Sequence, residues 1–438
     1  MLPILPFEIL FPAAIVAVSI FLFLVLFLIG RRLLIMVRGS RVDHLTQEAE
    51  KHLLFCLADG TLSLGFLTWL KYSEIGKARA FVQAVERIEE TGVSPGVIHK
   101  FLIDKMILDS FKRTVRRSTD KWLRAESAWA LGKLGYLEGI PSLEKAIADP
   151  AQEVCYVAAQ SLAEIDHEKS LKILAREIRK NSHTDNTRLA ALIENMECDV
   201  VPTIREMLND PDHEKQFWAI RLIGQKKLFE LVNEIKPLIS SDAPNIRCAC
   251  AECIGILKLR LTDRWLEPLI FDEGWFVQVQ AAKALGKLKA LWAIPDLCEL
   301  LSSEYWWVRH MASEALVEIG QESCLEVENV ILKSEDKFAR QTAVKVLERL
   351  DWIDNLLSRA TGNDPTAKIC LLKFVESGGI SHLENALHTA PVDTLPIALD
   401  FLYSYGDDAT YGRIRSALHR MPDSLRESVL QEIKRWRP

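Results

Sequence analysis

Three cysteines stand close enough in the sequence to suggest chemistry: Cys248, Cys250 and Cys253. Thiolates at this spacing can begin a zinc or iron–sulfur site, but such a site needs further ligands, and none follows nearby. The histidines form no His-x-x-x-His pair, and His382 and His388 are six apart, which is not one helical face. No Gly-x-Ser-x-Gly, Walker-type or Gly-x-Gly-x-x-Gly phrase occurs at a strand–helix junction. The carboxylates fall on the polar faces of amphipathic helices. Aromatic and basic residues remain. Trp275-Phe276 returns as Trp306-Trp307, and Val308-Arg309 follows the second pair. Aromatics with arginine are what binding hot spots favour. Trp275, Trp306, Trp307 and Arg309 are therefore the candidate partner-binding residues. No catalytic, cofactor or metal residue is expected.

These residues sit in a phrase that recurs. Ala128-Trp-Ala-Leu-Gly-Lys-Leu-Gly135 comes back as Ala282-Lys-Ala-Leu-Gly-Lys-Leu288 and as Ser313-Glu-Ala-Leu-Val-Glu-Ile-Gly320. Its leucine is tracked at Leu131, Leu162, Ile193 (a weak copy), Leu222, Ile254, Leu285, Leu316 and Leu347, at intervals of 31, 31, 29, 32, 31, 31 and 31. A fixed period in this range is the mark of a solenoid. Each repeat opens on a turn such as Asp149-Pro150 or Ser302-Ser-Glu304. An inner helix with small residues follows, then a second apolar helix. Small residues let neighbouring helices approach, and the leucine fills the space between layers.

The phrase Val308-Arg309-x-x-Ala312-x-x-Ala315-Leu316-x-x-Ile319-Gly320 resembles the HEAT repeat, in the short bacterial form also seen in phycobilisome lyase subunits. The resemblance implies an all-α fold, a right-handed superhelix of about ten helix pairs. It also implies protein binding as the default role, since solenoids present long continuous surfaces. An enzyme subunit resembling bilin lyases, or a regulatory or sensory module, is the alternative. The copies near Ile193 and Leu222 depart from the phrase, with Asn195-Met and Gln225-Lys in place of glycine and spacer. Aligning the repeats places Cys250 where Ala281 and Ala312 stand, and Cys253 where Ala284 and Ala315 stand, which argues for packing rather than ligation. Trp122, Phe276 and Trp307 share one position, expected to wedge successive repeats; Trp275 and Trp306 share the position before it.

Residues 9–29 carry no charge and are rich in Ile, Leu, Val, Phe and Ala. At about 1.5 Å per residue they span roughly the 30 Å hydrocarbon core, so a transmembrane helix is expected. Arg31, Arg32, Arg38 and Arg41 follow, and nothing basic precedes the span. The positive-inside rule then leaves residues 1–8 outside and the solenoid in the cytoplasm, as in a bacterial inner membrane, with residues 9–41 touching lipid. Nine cysteines without framework spacing agree with a reducing compartment. Net charge −6 gives no pull toward nucleic acid, so none is expected as a partner.

The remaining boundaries are a basic juxtamembrane segment at 30–42, a divergent helical cap at 43–118, repeats at 119–351, and degenerate repeats with a closing cap at 352–438. A basic cluster, Lys112, Arg113, Arg116, Arg117, Lys121 and Arg124, precedes the first clear repeat. It could be a solvated face, or a patch for anionic lipid or an acidic partner. The expected function is a membrane-anchored scaffold for a cytoplasmic protein, or for the cytoplasmic part of a membrane complex such as an envelope or polysaccharide machine.

Overall fold

The computed structural model describes residues 41–61, 76–104, 107–179, 185–389 and 394–405, with isolated positions outside these ranges. The expected span at 9–29 and Arg31, Arg32 and Arg38 lie outside them. Residues 41–59, Arg41 among them, are helical. Among the described residues no helix is long and apolar enough to cross a membrane. The described secondary structure is helical, without strands. It falls into two compact units, one ending at Thr203 and one beginning at Ile204.

In the first unit, helices Lys77–Glu90, Pro95–Asp104 and Ile107–Arg117 lead into the inner helices α1 (Lys121–Lys133), α2 (Gln152–Ile165) and α3 (Asn186–Glu194). In the second, α4 (His213–Lys226), α5 (Pro244–Leu257), α6 (Trp275–Leu288), α7 (Trp306–Ile319) and α8 (Lys337–Arg349) are the inner helices. Shorter outer helices alternate with them, for example Ile140–Ala146, Ile294–Leu300 and Cys324–Lys333. Helices Pro365–Phe374 and Leu395–Tyr405 continue the second unit where the phrase has decayed.

The recurring leucine is buried in every repeat, from Leu131 to Leu347. The residue after it explains the glycines. A Cβ on Gly132 would stand 2.6 Å from the Cα of Ser161. On Gly286 it would stand 2.7 Å from the Cα of Ala315, and on Gly255 3.0 Å from that of Ala284. The position after one leucine thus meets the position before the next, and both must be small. Gly224 obeys the same rule against Cys253, which corrects the register in the weak copy. Ile223, not Leu222, is the structural counterpart of the recurring leucine, and the intervals of 29 and 32 become 30 and 31. Both side chains are fully buried, so hydrophobicity alone could not tell them apart.

A second feature confirms that register. Four residues past the leucine, the backbone turns left-handed: Gly135, Asp166, Lys227, Lys258, Lys289, Gly320 and Asp351. At four of them the next N–H folds back on the leucine's carbonyl: Tyr136 to Leu131, Leu228 to Ile223, Ala290 to Leu285 and Trp352 to Leu347. This is a Schellman ending, which satisfies a carbonyl the helix would otherwise leave unpaired.

Two substitutions should therefore move stability in opposite directions. Gly286→Val drives a branched side chain into the α7 backbone and should cost about 2–3 kcal/mol. Lys289→Gly relieves a left-handed conformation at no packing loss and should add about 1 kcal/mol. Urea unfolding followed by circular dichroism reads both; equal midpoints for the three proteins would refute the packing rule.

Candidate protein-binding edge

Seven residues before the leucine stands the position that the phrase marks as arginine. The guanidinium reaches back over its own turn. Arg124 donates to the carbonyls of Ser118 and Thr119, Arg247 to those of Ser241 and Asp242, Arg309 to those of Ser303 and Glu304, and Arg340 to those of Ser334 and Glu335. Gln216 and Gln278 do the same through one amide bond, to Leu208 and Asp272. Six residues before that arginine or glutamine is a Ser or Asp whose side chain accepts the backbone N–H two residues on, as Ser118 does from Asp120 and Ser303 from Tyr305, and Asp149 does the same from Ala151 in the repeat that has Cys155 at that position. The turns are thus rigid, and they aim the first residues of the inner helices outward along one edge.

Two arginines also reach forward. Arg124 binds Asp149 of the following repeat in a two-pronged contact, with both distances 2.7 Å, and Arg247 binds Asp272 at 2.6 and 2.8 Å. These pairs are mostly withdrawn from solvent. The hydrogen bond from Arg124 holds Asp149 below the ordinary carboxylate range. At Asp272 burial opposes ionisation, but Arg247 and the backbone N–H of Gly274 together outweigh it and the group still lies low.

The rigid edge carries exposed rings. Trp275 is 40% exposed, Trp306 55% and Trp307 56%. Trp275 stands edge-on to Phe276 and stacks on Tyr305 of the next repeat, with centroids 6.3 Å apart. Trp306 meets Trp307 edge-on at 4.7 Å and lies parallel to His310 at 5.0 Å. Arg309 places its guanidinium 5.3 Å from the centre of Phe338, which opens the following repeat. One aromatic surface therefore runs across α6, α7 and α8. The expected wedge is not seen: Trp122 and Trp307 are half exposed, and only Phe276 of that set is half-buried. A tryptophan at the first turn of an inner helix points past the neighbouring helix, because the interhelical gap is already filled by small residues and leucine. Arg309, grouped with the tryptophans in the sequence, is half-buried and spends its donors on the turn. Sequence reading missed Tyr305 and Phe338. The signal was available, since Phe338 occupies the position of Trp307.

Elsewhere, Cys250 and Cys253 are buried between α5 and its neighbours. Burial raises both thiols, Cys253 to about 12. Of the basic cluster, Lys112 pairs with Asp109, Lys121 with Glu153, and Arg124 with Asp149. Arg116 and Arg117 are exposed and, with Lys145, line a shallow cavity of about 480 Å³ in the first unit.

The family model described as HEAT repeats matches residues 109–196 and 262–348, so each unit contains HEAT repeats. Among solved structures, an engineered protein is 17% identical, with 82% of this chain and 99% of that chain covered and a TM-score of 0.37. The complex of CpcE and CpcF of phycocyanin lyase from Nostoc sp. PCC7120 is 16% identical, over 64% and 91%, at 0.22. Kap121p is 13% identical, over 86% of this chain and 45% of that one, at 0.46. No curated protein matches the chain.

Removing one member of a buried pair strands the other charge. Asp272→Ala should cost about 3–5 kcal/mol, whereas Arg247→Met with Asp272→Leu should cost much less. The depressed carboxyls fix the sign with pH. Their contribution is full above the unfolded aspartate value near 4 and vanishes as pH falls through the lower folded value. Thermal melts should show wild type losing its advantage over the double variant below about pH 4; an advantage independent of pH would count against the pairs.

Proposed function

We propose that this chain is a membrane-tethered scaffold that holds a protein partner against the aromatic edge formed by α6, α7 and α8. HEAT-repeat solenoids generally bind protein partners, and repeats of this kind are present here. The observation that carries the reading is the run of exposed rings, Trp275, Tyr305, Trp306, Trp307 and Phe338, fixed on turns that are themselves tied down by Gln278, Arg309 and Arg340. Large rings lose little side-chain entropy on binding, and on a preorganised edge they supply most of an interface's energy.

The tether is the apolar stretch at 9–29. Confining the edge to a membrane plane raises its effective concentration toward a partner in the same membrane, without any new contact. The basic residues Arg31, Arg32, Arg38 and Arg41 would hold the junction at the anionic leaflet, and the solenoid would lie in the cytoplasm.

Two measurements test the two halves separately. In a mild-detergent pull-down, Trp275→Ala with Trp306→Ala should lose a specific prey by about 2 kcal/mol or more, roughly thirtyfold, at unchanged helicity. Undiminished prey would exclude the edge. In alkaline carbonate extraction the full chain should stay with the membrane pellet, and a chain lacking residues 1–40 should be released; release of the full chain would exclude the tether.

A further inference from the structure

The aromatic edge carries a second periodic feature. One exposed acid stands at the same position of successive repeats: Asp242, Glu273, Glu304 and Glu335, each twelve residues before its leucine. Earlier repeats hold Thr119, Pro150 and Pro211 there. The acidic row thus begins just before the aromatic row and runs alongside it. Among the described residues, none of these four carboxylates makes a salt bridge, although their turns are crowded with arginine. The arginines donate to backbone carbonyls and to Asp272, and Arg247 attracts Asp242 and Glu273 through space without a salt bridge.

The rings tell the same story. Three of the other exposed aromatics carry a cation of their own chain, Lys121 over Trp122, Arg188 over Tyr156 and Arg309 over Phe338, whereas Phe55, Phe229, Phe271 and Tyr305 carry none among the described residues. Among the described residues Trp275, Trp306 and Trp307 carry none, yet tryptophan is the ring that binds cations best. The first two full rungs therefore pair an exposed carboxylate that makes no salt bridge with an indole that carries no cation: Glu273 with Trp275, one face of which stacks on Tyr305, and Glu304 with Trp306, one face of which stacks on His310, and with Trp307. Lys333 and Lys337 flank Glu335, and Phe338 already holds Arg309, so the third rung is the weakest.

We propose that this edge binds an extended cationic peptide segment, one Lys or Arg side chain per repeat, each seated between a carboxylate and a ring. The inference rests on the docking edge proposed above and adds the chemistry of its occupant. The spacing selects a period. Packed helices stand about 8–10 Å apart. A polyproline II chain rises about 3.1 Å per residue with three residues per turn, so every third side chain recurs on one face at about 9.3 Å. A basic residue at every third position meets successive rungs; a cluster of adjacent ones cannot.

Fluorescence anisotropy with the full chain in detergent tests this on three labelled peptides. One is proline-rich with lysine at every third position. The second has the same composition with its lysines adjacent. The third has glutamate for lysine. The first should bind at least about tenfold tighter than the glutamate peptide and measurably tighter than the clustered one. Its affinity should fall as salt rises from ~0.05 to ~0.3 M, because exposed charges are screened. Glu273→Lys with Glu304→Lys should weaken it at least about tenfold at unchanged helicity and melting temperature, while the control Glu230→Lys with Glu299→Lys, away from the edge, should not. Equal binding of the glutamate peptide, indifference to the Glu273/Glu304 reversal, or equal loss in the control overturns the proposal. A specific prey lost with the tryptophans but kept after Glu273/Glu304 reversal leaves the docking edge standing and removes only its cationic occupant.

Discussion

Neighbouring inner helices meet almost backbone to backbone, and the rest of each unit is arranged around that contact. Gly132 on Ser161, Gly255 on Ala284 and Gly286 on Ala315 leave no room for a side chain between the crossing helices. Dispersion falls off so steeply with distance that closing this gap is worth far more than any single ring at the surface. The approach fixes which way the leucine points, and it decides that residues of the first turn project beyond the stack. The small residues therefore do two jobs. They bring the helices together, and they expel the tryptophans to the edge.

The turns are held by a different physics. Seven of the eight inner helices end in a residue of positive φ, four of them with a Schellman bond, and six begin beneath an arginine or glutamine that satisfies carbonyls of its own turn. Where the next turn offers Asp149 or Asp272, the same arginine crosses to it and links the repeats. Such a pair adds little over a well-packed apolar substitute, because both charges are partly desolvated. Its value lies in fixing geometry: an edge whose turns cannot fray can present rings in a constant pose.

Those two constraints together make a surface of fixed spacing and mixed character, aromatic and acidic, on the second unit. The same repeat chemistry gives the first unit a different edge, where Trp122 already carries Lys121 and the exposed cations Arg116, Arg117 and Lys145 line a shallow cavity. Identical backbones with different surface residues at equivalent positions are how a repeat protein separates its binding surfaces without changing its packing.

The period, the helical class and the packing role of Cys250 and Cys253 were legible in the sequence, because a small residue on either side of a leucine is a local pattern that repeats. The equivalence of Ile223 rather than Leu222 was not, since both are apolar and buried; only the approach of Gly224 to Cys253 and the left-handed turn at Lys227 separate them. Nor could spacing say that Trp307 faces solvent while Arg309 folds back onto its turn. A sequence states which residues recur, but whether a side chain at a helix start enters the gap or leaves it depends on how close the next helix stands, and that distance exists only once the repeats have stacked.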